Sequence, residues 1–180
     1  MMTVEEFLAL PEDGTDRELI RGRLRSWPRR FHTPRHAVAL THLISSLGRW
    51  QDGQPEPRGE VLGYGAPFRL RRDPDTLVGA DAGLASAGLM SSTADGLFYL
   101  DGPPILAVEI LAPWDTHEDV IEKIDLYLEA GVIIWEADPD LRTIRVHRPG
   151  REPEMFNAAQ ELSGEPYLPG FRLAVAKLFA

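Results

Sequence analysis

One carboxylate lies inside the most apolar run of the chain, Pro104-Ile-Leu-Ala-Val-Glu109-Ile-Leu-Ala-Pro113. The aliphatic residues on either side of Glu109 follow one another without alternation, which is the pattern of a central strand covered on both faces. An ionised group in such a strand costs several kcal/mol unless it is paired, hydrogen-bonded or ligating a metal. Any fold built around this strand must therefore bring Glu109 a partner.

The rest of the chain reads as an α/β order with a mixed sheet. Thr3-Val-Glu-Glu6 has capping-box spacing and predicts a short helix that stops by Pro11. Two short strands around a Gly22 turn follow over residues 18–27. Thr33 before Pro34 is a helix start, and Val38, Leu40, His42, Leu43, Ile44 and Leu47 mark one face of a helix reaching Trp50. Strands are predicted over 60–70, 77–85 and 105–111, a helix over 116–130 closed by Gly131, and strands over 132–137 and 143–147. An extended piece near Phe171 and a turn or short helix over 175–179 end the chain. No repeat, low-complexity tract or long linker divides it, so one domain over residues 1–180 is expected.

Composition narrows the chemistry. There is no cysteine, which removes disulfide frameworks, zinc fingers and thiolate nucleophiles. No run of ~18 apolar residues occurs, and the mixed, acidic opening is unlike a secretory leader, so a soluble cytoplasmic protein is expected. The net charge of −9 argues against a phosphate-rich partner, but its distribution is uneven. From Leu19 to Gln51 there is no Asp or Glu, while Arg21, Arg23, Arg25, Arg29, Arg30, Arg35 and Arg49 all fall there. Trp27, Phe31, His32, His36, His42 and Trp50 share that window and suit contacts to bases or phosphates. A solvated face whose arginines pair with acids elsewhere accounts for it equally well.

Two further residues bear on Glu109. Asp81 stands alone in the strand-like run Leu77-Val-Gly-Ala-Asp81-Ala-Gly-Leu-Ala85, among small residues that permit close backbone approach or a nearby ligand. By itself such an acid is more often a strand-end or turn residue. Two neighbouring strands, each carrying one buried acid, would bring both carboxylates to one cation, and hard oxygen ligands suit Mg²⁺. In the helix over 116–130, Val120, Ile124, Tyr127 and Leu128 form the core stripe, and Lys123 borders it, within reach of the sheet. A lysine there also serves simply to cover apolar surface or to pair with Asp119 or Glu122.

The stretch "AVEILAPWDTHEDVIEKIDLYLEAGV" resembles the central motif of the bacterial family known as putative restriction endonucleases, within the PD-(D/E)XK nuclease-like superfamily. "MTVEEFLALPED" with "RELIRG" is similar to that family's opening, "TPRHAVALTHLISSL" to its first long helix, and "VGADAGLA" to its metal-binding aspartate strand. "WEADP" and "YLPGFRLAVAKLF" resemble its later strand end and closing segment, so the likeness covers nearly the whole chain. It implies a restriction-endonuclease-like core, a central mixed sheet flanked by helices, with Asp81 and Glu109 as metal ligands. The superfamily's usual lysine, two residues after the second acid, is Leu111 here. The resemblance points instead to a migrated lysine, Lys123. It also implies supporting roles for Glu18, Tyr127 and His36. Ala80 and Ala112 stand where the family commonly has proline and serine.

The activity so implied is Mg²⁺-dependent hydrolysis of phosphodiester bonds, with Mn²⁺ as a substitute ion and Asp81, Glu109 and Lys123 as the catalytic set. Nucleic acid, DNA foremost, is the implied partner, with Arg25, Arg29, Arg30 and Arg35 as its contacts, and cutting both strands would favour a homodimer. A competing account is a non-catalytic interaction module in which Glu109 and Lys123 form a structural ion pair. A paired-carboxylate glycosidase is a poorer fit to an aromatic content of 8%. Signatures of serine hydrolases and P-loop proteins are missing from the sequence.

Overall fold

The structure is a computed structural model that describes residues 1–180. Its elements, in chain order, are α1 (Val4–Leu8), β1 (Thr15–Ile20), β2 (Arg23–Pro28), α2 (Pro34–Asp52), β3 (Glu60–Arg71) and β4 (Thr76–Ala85), then α3 (Ala87–Ser92), β5 (Leu106–Ile110), α4 (His117–Glu129), β6 (Ile133–Asp138), β7 (Thr143–His147), β8 (Glu154–Asn157), β9 (Glu161–Ser163), β10 (Arg172–Ala174) and α5 (Val175–Leu178). Helix starts follow their sequence signals. Thr3 and Glu6 form a reciprocal capping box, and the Thr33 and Thr116 side chains accept from the backbone N–H three residues on.

The eight-stranded sheet runs β2-β1-β4-β5-β6-β7-β8, with β3 also paired to β4. β4 and β5 are antiparallel while β5 and β6 are parallel, joined across α4, so the sheet is mixed. As its composition requires, β5 is covered on both sides. Leu106, Val108 and Ile110 enter a core with Ala39, Leu43 and Leu47 of α2 and Val175 and Leu178 of α5. Ala107 faces a second core with Phe68, Ile124, Tyr127 and Ile134, under α4.

β4 is where the sheet divides. One of its edges is taken by β3 along its length, from Glu60↔Ala85 to Arg71↔Thr76. Its other edge is shared, since β1 meets it at Leu19↔Leu77 and β5 at residues 82–84. Between those two stations β1 and β5 diverge and leave a fork. The small residues around it serve close packing, for a Cβ added at Gly79 would lie 2.8 Å from the Gly65 carbonyl oxygen.

Three expectations are corrected. α1 ends at Leu8, short of Pro11. The buried stripe of α2 is His36, Ala39, Leu43, Leu47 and Gln51, whereas Val38 is exposed. A stripe that includes imidazole and amide groups cannot be read from apolar periodicity alone. Third, α3, β8 and β9 have no counterpart in the sequence reading; they are short, and few of their residues are buried.

The two faces of α2 give a direct check. Leu47→Ala, at a fully buried site, is expected to lower unfolding free energy by ~2–5 kcal/mol in urea titrations. Val38→Ala, 41% exposed, should change it by less than ~0.5 kcal/mol.

Candidate active site

The register of the β4–β5 ladder places the two acids. Pairs run Leu84↔Leu106, Gly83↔Ala107 and Ala82↔Val108, so the next step brings Asp81 level with Glu109. The ladder ends there. In place of a backbone pair, the Ile110 N–H donates to Asp81 Oδ2 at 2.8 Å, which ties the aspartate across the opening of the fork. Glu18 reaches the same place from β1, one residue before the Leu19↔Leu77 contact.

Lys123 comes down onto these carboxylates from α4. Its Nζ donates to Glu109 Oε2 at 2.9 Å and lies 3.4 Å from Glu18 Oε1. One ammonium thus bridges two strands that have parted. Tyr127, one turn further along α4, is fully buried, and its hydroxyl has no hydrogen-bond partner. His36, in the first turn of α2, approaches from the other side, with Nε2 3.3 Å from Asp81 Oδ2. The structure therefore brings together Asp81, Glu109, Lys123, Glu18, Tyr127 and His36.

These groups differ in charge state for identifiable reasons. Burial acts to raise Asp81, but the His36 hydrogen bond and the Lys123 charge outweigh it and hold the carboxyl below its ordinary value. Burial pushes Glu109 up to about 8, with Lys123 pulling down and Asp81 pushing further up. Burial opposes the Lys123 ammonium too, yet the carboxylates of Glu109 and Glu18 hold its pKa well above the usual lysine value. Desolvation, then the Glu109 charge, raises Tyr127 and keeps its phenol protonated.

Glu136 supplies an internal comparison. It is level with Glu109 on the adjacent parallel strand and is buried, where Glu109 is half-buried. His147 Nε2 lies 2.7 Å from its Oε2, and Arg145 Nη1 is 3.3 Å from both oxygens, so its charge is matched by β7. Glu109 Oε1, by contrast, is buried with no hydrogen-bond partner, although Oε2 is held by Lys123. That unclaimed oxygen beside a second carboxylate, both hard donors, fits a small divalent cation.

The arginine window resolves unevenly. Arg25 is held by Asp119 at 3.1 Å and by Glu122, Arg29 by Asp16 at 3.0 Å and Glu12 at 3.4 Å, and Arg35 by Asp140 at 2.9 Å. Arg30 has no acidic partner and lies 5.8 Å over the Trp114 ring. Trp27, Arg30 and Trp114 line a cleft of roughly 320 Å³ whose floor includes Glu18, Glu109 and Lys123. Sequence reasoning missed Trp114 and Asp115, which accepts from the Ala112 N–H at 2.7 Å. The run Asp115-Thr116 before a helix was a visible turn signal, but nothing in it marked a cleft wall.

Glu109 gives the site a pH signature. Between its ordinary 4.5 and about 8, the folded protein keeps a proton that the unfolded chain has released. The folded state then binds more protons, so this group's contribution to stability falls as pH rises through that window. Glu109→Gln is expected to flatten that part of the pH dependence of metal-free denaturation midpoints; an unaltered slope would assign the titration elsewhere.

Among curated proteins none matches the sequence. Among solved structures, a crystal structure of a putative nuclease belonging to DUF820 from Anabaena variabilis superposes with a TM-score of 0.82 at 22% identity, over 99% of this chain and 98% of that one. That likeness is one of fold, and the two chains share it over nearly their whole length. The family described as putative restriction endonuclease, Uma2, matches residues 4–176, from α1 into α5 and across every strand that builds the fork. The chain belongs to the Uma2 family of putative restriction endonucleases.

Proposed function

We propose that this protein is a divalent-metal-dependent endonuclease that hydrolyses phosphodiester bonds of DNA, with Asp81, Glu109 and Lys123 as its catalytic residues. The observation that carries the reading is Glu109 itself, a buried carboxylate with one oxygen on an ammonium and the other unclaimed beside Asp81. The carboxylates of Asp81 and Glu109 would hold Mg²⁺, or Mn²⁺ in its place. Such an ion, when bound, polarises a phosphoryl oxygen and acidifies a water.

The chain's own groups do the remainder. Lys123 orients the attacking water and offsets negative charge as it develops on the phosphate. Glu18 keeps that ammonium over the fork, and His36 fixes the Asp81 carboxylate. Tyr127, protonated and buried, offers a hydroxyl from beneath. Arg30 and Trp114 at the cleft mouth are placed to receive the nucleic acid, while Arg25, Arg29 and Arg35 would reach phosphate only by exchanging their acidic partners. No helix is long and apolar enough to cross a membrane. Cutting both strands of a duplex would call for two copies of the chain.

The 2.9 Å Lys123–Glu109 contact also supports a second reading, an interaction module whose ion pair fixes the helix on the sheet. Calorimetric titration with Mg²⁺, which takes oxygen donors, separates the two. The nuclease account expects binding that Asp81→Asn and Glu109→Gln abolish, and unchanged binding in both variants would favour the module. Lys123→Met should retain the ion while slowing plasmid nicking by ~10²–10³-fold; full nicking would remove the lysine from the mechanism.

A further inference from the structure

Beside the paired carboxylates lies a second donor set of different chemistry. His32, His36 and Asp81 each offer a ligand atom, and these atoms all lie within 4.8 Å of one another. His36 is 1% exposed. Its Nε2 points to Asp81 Oδ2 at 3.3 Å, and its Nδ1 is buried without a partner. His32 stacks on it, ring centroids 4.0 Å apart and planes inclined by 17°. The two rings place two nitrogens and one carboxylate oxygen around a common space, but face-to-face stacking aims their in-plane lone pairs along nearly parallel lines, so a shared ion requires His32 to turn off the face of His36.

We infer that His32, His36 and Asp81 form a second cation site, one that takes a first-row transition-metal dication such as Mn²⁺, Co²⁺, Ni²⁺ or Zn²⁺ through imidazole nitrogen, with Asp81 shared between it and Glu109. Ligand type gives the class. Imidazole suits the later first-row ions, whereas Mg²⁺ takes oxygen donors and keeps its waters. Nitrogen and carboxylate ligands sit ~2.0–2.2 Å from such an ion, so the present cluster, its ligand atoms up to 4.8 Å apart, must contract as the rings turn out of their stack. The placement of the two histidines allows that contraction. His36 is fixed in the core by α2, while His32 is exposed in the segment between β2 and α2 and is free to close onto the ion.

This site overlaps the proposed Mg²⁺ position through Asp81 but does not require that the protein cut DNA. It gives His32 a role, and it makes α2 a contributor of ligands as well as packing. Occupation by an imidazole-bound ion would draw the segment carrying His32 toward the fork, next to Arg30 and Trp114.

The test uses the intact chain with metal alone. Pulsed electron paramagnetic resonance of Mn²⁺-loaded protein should show nitrogen coupling from coordinated imidazole, and that signal should survive Glu109→Gln. Co²⁺ titrated calorimetrically should bind at least roughly tenfold more weakly to His32→Ala, while Mg²⁺ affinity stays the same. His32 is exposed, so this variant leaves the core intact, and His36→Gln is a second probe that should also lose nitrogen coupling. Absence of nitrogen coupling in the unaltered protein, or Co²⁺ affinity unchanged by His32→Ala, would overturn the assignment and leave His36 as a positioning group for Asp81. Plasmid nicking is not read in this experiment, so its failure would not be confused with failure of the nuclease reading.

Discussion

A carboxylate in a strand buried on both faces is the constraint on which this structure turns. β5 cannot present Glu109 to either apolar core without compensation, and the fold answers by ending the β4–β5 ladder one residue early. The ladder's last pair is Ala82↔Val108. Beyond it β1 swings away, Asp81 caps the Ile110 N–H, and α4 lowers Lys123 into the gap. The fork is the geometry that lets three acids from three strands share one polar pocket inside an otherwise apolar sheet.

The same constraint separates the two buried glutamates. Glu136 is matched within the sheet, because β7 places Arg145 and His147 on the side of the strand that needs them. Glu109 is matched only in part, by an amine from a helix, and retains an oxygen with no protein donor. Structural acids are fully satisfied by their neighbours; acids left short are those available for a ligand. Both lie in largely apolar strands, Leu-Ala-Val-Glu-Ile and Ile-Ile-Trp-Glu-Ala-Asp, so the distinction lives in tertiary packing.

That contrast shows what can be read from sequence. α4 was legible nearly to the residue, since Thr116, the Ile124 and Tyr127 stripe and Gly131 are all local signals. The importance of Glu109 and Asp81 followed from hydrophobic context, and the assignment of Lys123 rested on family likeness. Their convergence was expected from the family likeness, while the register that achieves it was not legible, because pairing across 28 residues is fixed by neither turn type nor periodicity. His32 was read only as one ring of the arginine window; its approach to Asp81 carried no signal, because it precedes the α2 cap, outside any helical face, and meets Asp81 through the way α2 docks. The arginine window left two readings open, and the acids that pair with Arg25 and Arg35, Asp119, Glu122 and Asp140, could not be named beforehand because they come from distant segments.

The fork also determines when the pocket can exist. Its contributors are spread from Glu18 to Tyr127, and the ammonium that quiets Glu109 arrives late along the chain, on the crossover to β6. A chain still emerging from the ribosome, or one clipped before α4, would hold uncompensated acids at the seam and no assembled cluster. Assembly of the polar cluster therefore waits on the docking of α4 against the sheet.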